Sequence, residues 1–281
     1  MAQAARGDGS SAVPQGLGLR SLWAAVAPIV SAVLGIGASG CASRPDHHTG
    51  ERLTIAAAAN LTEAFGAIGP AFTAAGGIQV VFSFGATAHL ARQIDNSAPF
   101  DVFAAADTEH VDDLIAKGKV TAQSRAIYAR GQLAVWFPKG DGQSLNDLAG
   151  PGVRFLSIAN PSLAPYGQAA VESLKSLGLW ERVQAKVVYA SSISMAKQHA
   201  ATGNAEAAIT AYSLVRNERG RVSKIDAKLH RPLLQAVGVV SASQRPRQAG
   251  EFRNFLLGPS GREILARYGY SVDGLAPAEH N

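Results

Sequence analysis

The chain predicts an α/β protein of two lobes with a ligand cleft between them, on three observations. From Leu53 onward, short apolar runs alternate with amphipathic stretches of helical spacing. Four of these runs pass directly into a helix start, at Asn60, Thr87, Tyr166 and Ser192. The chain also leaves its first unit at Gln132–Phe137 and turns back at Leu233–Val240, so two crossings would join the units and leave a hinged cleft between them.

The first 41 residues read as an export signal rather than as part of the fold. Arg6 and Arg20 against Asp8 make a weakly positive start, and the apolar stretch Leu22–Gly37, interrupted by Pro28, is shorter than the roughly 20 residues a spanning helix needs. It ends in Ala38-Ser39-Gly40-Cys41, which resembles a bacterial lipobox with Ala38 in place of the usual leucine. Cleavage there would leave Cys41 as a lipidated first residue, anchoring the chain to the membrane. Cys41 is the single cysteine, which excludes disulfides, CxxC redox chemistry and cysteine-rich metal sites. Residues 42–51, with Pro45, His47 and His48, read as a solvated tether.

The mature chain then gives its elements in turn. Leu53–Ala58 is a strand, and Leu61–Ala75 a helix with Leu61, Ala64, Phe65, Ile68 and Phe72 on one face. Asn60 followed by Glu63 has capping-box spacing. Ile78–Phe84 is a strand, Ala88–Asp95 a helix, Val102–Ala105 a strand, and Asp107 or Thr108 caps a helix to about Lys117. That alternation implies a parallel sheet. In the second lobe, strands at Arg154–Ile158, Lys186–Tyr189 and Ala207–Ala211 alternate with helices at Gly167–Leu177 and Ile193–Ala201. Glu251–Arg267 closes the chain in helices packed on the first lobe. The lobes are drawn at 52–132 with 213–281, and at 133–212, each a mostly parallel sheet flanked by helices.

Helix starts at strand ends bring unpaired backbone N–H groups and positive dipole ends to one edge of a sheet, which suits an anion. Each residue there has an equally local explanation, since Asn60, Thr87 and Ser192 can cap their own helices and Tyr166 can be a turn aromatic beside Pro165. Removing Arg6, Arg20 and Asp8 lowers the formal charge of +5 by one. The basic residues are scattered, without runs or interleaved aromatics, which argues against nucleic acid; a modest positive field draws small anions. Catalysis finds little support. The seven histidines form no HExxH, Gly258-Pro259-Ser260-Gly261 is not a nucleophile elbow, and no phosphate-cradling glycine loop is present.

Taken together, AAAANLTEAF at 56–65, FGATAHLARQI at 84–94, APFDVFAAAD at 98–107, ANPSLAPYGQAA at 159–170, ATGNAEAAITAYS at 201–213 and GPSGREILARYGY at 258–270 resemble the periplasmic molybdate-binding proteins of ATP-driven oxyanion importers. The resemblance implies the two-lobed periplasmic binding protein fold, with molybdate or tungstate as ligand, no cofactor and no catalysis. The implied partner is an inner-membrane permease with its ATPase, served by a monomer in the periplasm. By position it implies oxyanion contacts at Ala59 and Asn60, Thr87, Tyr166 and the Ile193 backbone, with Tyr212 as a further candidate, all reaching the metal through the oxygens of the anion. Where the family usually offers consecutive serines, this chain has Ala86, Thr87 and Ala88, leaving one hydroxyl. A same-fold receptor for sulfate or phosphate, and a hydrolytic enzyme, are the alternatives.

Overall fold

The computed structural model describes residues 52–76, 78–139 and 142–275. The export signal, Cys41 and the tether at 42–51 lie outside the described residues.

Two five-stranded sheets organise the chain. In the first, β1 (Arg52–Ala58) runs parallel to β2 (Gln79–Gly85) on one side and to β3 (Val102–Ala104) on the other. In the second, β6 (Leu156–Ala159) lies parallel between β7 (Val187–Ala190) and β8 (Ala207–Ala211). Strands flanked on both sides are buried on both faces, which is why β1, β6 and β8 are apolar almost without interruption rather than alternating. On the edge, β2 alternates more nearly between covered and exposed positions.

The crossings complete each sheet with antiparallel strands. The chain passes from β4 (Ala126–Arg130) in the first sheet through Gly131 and Gln132 to β5 (Leu133–Phe137) in the second, and returns from β9 (Arg221–Lys224) to β10 (Leu234–Val239). β10 pairs antiparallel with β3 and β4, and β5 with β8 and β9. The sheets are therefore mixed, with as many antiparallel as parallel pairings, where a mostly parallel arrangement was expected. The reason is topological: a strand entering a lobe from the other one arrives from the opposite direction to the strands fed by local helix crossovers. β9 also lies in the second sheet, so the expected boundary at 213 assigns it to the wrong lobe; its short polar sequence, Arg221–Lys224, carries no apolar run to betray an edge strand.

The helices are α1 (Thr62–Gly76), α2 (Thr87–Asp95), α3 (Glu109–Ala116), α4 (Pro165–Ser176), α5 (Trp180–Val183), α6 (Ile193–Ala201), α7 (Tyr212–Val215), α8 (Pro246–Leu257) and α9 (Pro259–Arg267); α1 to α4 and α6 fall close to their expected spans, α8 starts five residues before the expected Glu251, and the short α5 and α7 were not expected. Pro165, Pro246 and Pro259 begin their helices, where a missing N–H costs nothing. The Asn60–Glu63 capping box does not form. Ala59–Leu61 is a 3-10 turn whose cap position, Ala58, makes no side-chain bond, and Glu63 reaches instead to Lys197. On α1, Phe65 and Phe72 pack against Phe252 of α8 with ring centroids 6.0 and 5.3 Å apart, fixing the C-terminal helices to the first lobe. Truncating this shared ring, Phe252→Ala, is expected to cost about 3–5 kcal/mol of unfolding free energy, measured by urea denaturation with the midpoint falling at unchanged slope.

Candidate functional site

A cavity of ≈ 190 Å³ of empty space, its mouth included, lies where the two lobes meet. The first lobe lines it with Ala58, Ala59 and Asn60 after β1, Gly85, Ala86 and Thr87 after β2, and Ala106 after β3. The second lobe contributes Ala164, Pro165 and Tyr166 at the start of α4, and Ile193 at the start of α6. None of these residues carries a charge. The parallel strands of both sheets thus end at the same point, as open α/β sheets do where they bind ligands. A larger hollow lined by Phe137, Lys139, Ala200 and Glu206 belongs to the second lobe alone and gathers no such convergence.

Three polar side chains face this space, and all are almost wholly buried: Asn60, Thr87 and Tyr166. Thr87 is the first residue of α2 rather than its cap, which is Ala86. Its Oγ1 accepts the Ala106 amide at 3.2 Å, so its own proton is left to point elsewhere. The Tyr166 hydroxyl accepts from Gln235 Nε2 at 3.1 Å and, more weakly, from Asn60 Nδ2 at 3.5 Å, which likewise leaves its single proton to donate away from those two groups. Burial holds the Tyr166 phenol well above its ordinary pKa, so it stays a donor at any physiological pH. Ser192 caps α6 by accepting Met195 N–H at 3.2 Å, and the first amide of that helix, Ile193, has no acceptor within it. Helix ends at α2, α4 and α6 point their positive poles at one cavity.

Behind this surface lies a second layer that the sequence reading missed. Asn60 Nδ2 donates to Gln235 Oε1 at 2.8 Å and to the Tyr270 hydroxyl at 3.0 Å. Tyr270 in turn donates to the Asn60 carbonyl at 2.7 Å, which also accepts from Ser213 Oγ at 3.0 Å. Gln235 Oε1 is shared with the Tyr128 hydroxyl at 3.0 Å. Burial raises the Tyr128 and Tyr270 phenols as well, so the layer is neutral throughout. Of these residues Gln235 alone has a mark in the sequence that could have found it, as the one polar residue inside the apolar run Leu233–Val240.

Tyr212 is not part of the cavity. It opens α7, and its ring lies beneath Lys224 Nζ at 4.3 Å and against Gly269. Lys197 pairs with Glu63 across the lobes at 3.3 Å and with Glu218 at 2.6 Å. Among the described residues, no group of three or more His, Cys, Asp or Glu could hold a metal ion.

Two sheets joined by two crossings, with a small uncharged cavity at their shared strand ends, define a two-lobed ligand-binding protein. Residues 53–271 match the model of the family described as bacterial extracellular solute-binding protein, and the chain belongs to that family. It is 36% identical over 249 residues to the molybdate-binding protein ModA of Azotobacter vinelandii, covering 85% of this chain and 95% of that one. ModA of Rhodobacter capsulatus is 34% identical over 222 residues, covering 78% and 87% respectively. Among solved structures, the Azotobacter vinelandii periplasmic molybdate-binding protein superposes with a TM-score of 0.75 at 29% identity, over 78% of this chain and 98% of that one.

Gly131, in the first crossing, packs directly under the site: a Cβ there would lie 2.0 Å from the Tyr166 hydroxyl and 2.8 Å from Gln235 Nε2. Gly131→Ala is therefore expected to displace the Tyr166 side chain, lowering the thermal midpoint and exposing this tyrosine to chemical nitration, which spares it in the wild type.

Proposed function

We infer that this protein captures molybdate, and tungstate with it, in the interlobe cavity and presents it to an ATP-driven membrane importer. The observation that carries this reading is a cavity lined from both lobes by neutral donors and no charged side chain, in a chain 36% identical over 249 residues to a molybdate-binding protein. Thr87 and Tyr166 would supply side-chain donors, and the amides at Ala59, Asn60 and Ile193 backbone donors. No step here is catalytic; the ligand leaves as it arrived.

Hydrogen-bond counting supports the choice of ligand class. A fully deprotonated tetrahedral dianion only accepts hydrogen bonds, so a pocket of donors satisfies it completely. Hydrogen phosphate carries an O–H that meets another donor, at a cost of about 1–3 kcal/mol for the buried unpaired group. Sulfate, also acceptor-only, is distinguished by size, because its shorter bonds leave stretched contacts in a cavity fitted to the larger ion. Export through the amino-terminal signal and a lipid on Cys41 would hold the monomeric protein at the outer face of the inner membrane, beside a permease and its ATPase.

Calorimetric titration of the mature protein tests this directly. Molybdate and tungstate are expected to bind and raise the melting temperature, sulfate weakly, and phosphate not at all; an equal response to phosphate refutes the assignment. Because every donor is neutral and the Tyr166 phenol is pushed upward by burial, molybdate affinity should stay flat from about pH 6 to about pH 9. Removing single donors, Thr87→Val or Tyr166→Phe, is expected to weaken binding by about 10- to 100-fold, and to cost about 1–3 kcal/mol of fold stability because the Ala106 amide or Gln235 Nε2 is left unpaired. Mass spectrometry of the mature amino terminus reads the lipid: a Cys41 without acyl mass would mean a freely soluble form.

A further inference from the structure

Gln235 touches neither the cavity nor solvent, yet both side chains that meet across the lobes depend on it. Its Nε2 donates to the Tyr166 hydroxyl and its Oε1 accepts from Asn60 Nδ2. A phenol has one proton, and while it accepts from an amide that proton must leave in another direction.

The second observation is an orphan. Asn60 Oδ1 is buried without a hydrogen-bond partner. Turning the Asn60 amide alone would bring Oδ1 against Gln235 Oε1 at 2.8 Å, acceptor against acceptor. The two amides can therefore reverse only together. In the reversed setting Asn60 Nδ2 takes the unpartnered place as a free donor, Gln235 Nε2 serves Asn60 and Tyr128, and Gln235 Oε1 faces the Tyr166 hydroxyl. Gly131, with no room for even a methyl group beside Tyr166 and Gln235, holds the pair in register in either setting.

We propose that Gln235 is a positioning residue that sets, through one coupled pair of amides, which of the two side chains, Tyr166 as described or Asn60 when reversed, presents a proton to the anion. The proposal rests on the oxyanion reading above and adds to it the residue that keeps the pocket a donor. Glutamate at this position is the decisive change, because an ionised carboxylate only accepts. It would hold Asn60 Nδ2 as Gln235 Oε1 already does and draw the Tyr166 proton toward itself, so that neither side chain presents a proton to the ligand.

The experiment compares wild type, Gln235→Glu and Gln235→Met by calorimetry with molybdate and with phosphate, alongside melting temperature without ligand. Gln235→Glu is expected to lose about 10- to 100-fold in molybdate affinity, the cost of one misdirected donor. The loss should ease as pH falls, because burial raises the carboxyl pKa and its protonated form again donates to Tyr166. The titratable groups facing position 235 are the Tyr128 and Tyr166 phenols, with Tyr270 beyond Asn60, and the carboxylates acting on these phenols are Asp107 and Glu63. Gln235→Met, similar in volume, covers the case in which the glutamate variant does not fold. It frees the Tyr166 oxygen to accept a P–OH proton, so the preference for molybdate over phosphate should narrow by about tenfold. A methionine variant with wild-type affinity and preference overturns the proposal, as does a glutamate loss that is the same at every pH, which neither an accepting carboxylate nor its charge would give. A wild-type protein that binds no tetrahedral anion removes the oxyanion reading itself, and this inference with it; wild-type binding with unaltered variants sinks the inference alone.

Discussion

The structure depends on one constraint: polar groups buried at the meeting of two lobes need partners, and here neutral groups supply them, with Asn60 Oδ1 left over. Asn60 sits at the centre of that requirement. Its carbonyl takes the Tyr270 and Ser213 hydroxyls, and its amide holds Gln235 and Tyr270. Through Gln235 the same network reaches Tyr166 on the opposite lobe. A buried hydrogen bond of this kind contributes only about 1 kcal/mol when made, but leaving one partner unpaired costs more. The network therefore specifies one relative placement of the lobes more strongly than it stabilises the fold.

The crossings make that placement adjustable. Gly131 N donates to Leu233 O at 2.9 Å, so the two connecting segments are stitched to each other as well as to their sheets. Away from this seam the lobes touch through few polar contacts, among them Ala88 N to Leu163 O at 3.2 Å and Lys197 to Glu63 at 3.3 Å. The ion pair is partly exposed, where such pairs are worth little. Rim contacts this weak leave a ligand that bonds to both lobes as the largest available bias toward their apposition, which is population shift in its simplest form.

Much of this was legible in the sequence, for physical reasons. Strands buried on both faces announce themselves as apolar runs, and helices with one buried face repeat at helical spacing, so β1, α1, α2, α6 and β8 fall within one or two residues of expectation. The convergence of Asn60, Thr87, Tyr166 and Ile193 on one cavity followed from their shared place at strand-to-helix junctions. What stayed hidden depends on contacts distant in sequence. Gln235 and Tyr270 lie 175 and 210 residues from Asn60, and no local pattern records that they meet it. The Asn60–Glu63 spacing misled because a tertiary partner, Lys197, competes for Glu63, while Gln235 and Tyr270 claim the asparagine amide. Tyr212 was misplaced for a related reason: its residue number puts it beside the site, but the turn into α7 sends its ring toward Lys224.

A pocket of neutral donors is also a solution to release. A buried lysine or arginine facing a dianion would leave an uncompensated charge whenever the ligand departed, and an unpaired buried charge costs several kcal/mol. Phenol, hydroxyl and backbone amides carry no such penalty, because water replaces the lost bond as the lobes part. Affinity then comes from the number of donors brought together rather than from the strength of any one, and it decays in steps as the lobes separate. The same arithmetic explains why the second layer matters. If each donor contributes modestly, the direction of a single proton at Tyr166 would be a sizeable share of the whole, and a residue that fixed that direction would govern the ligand without touching it.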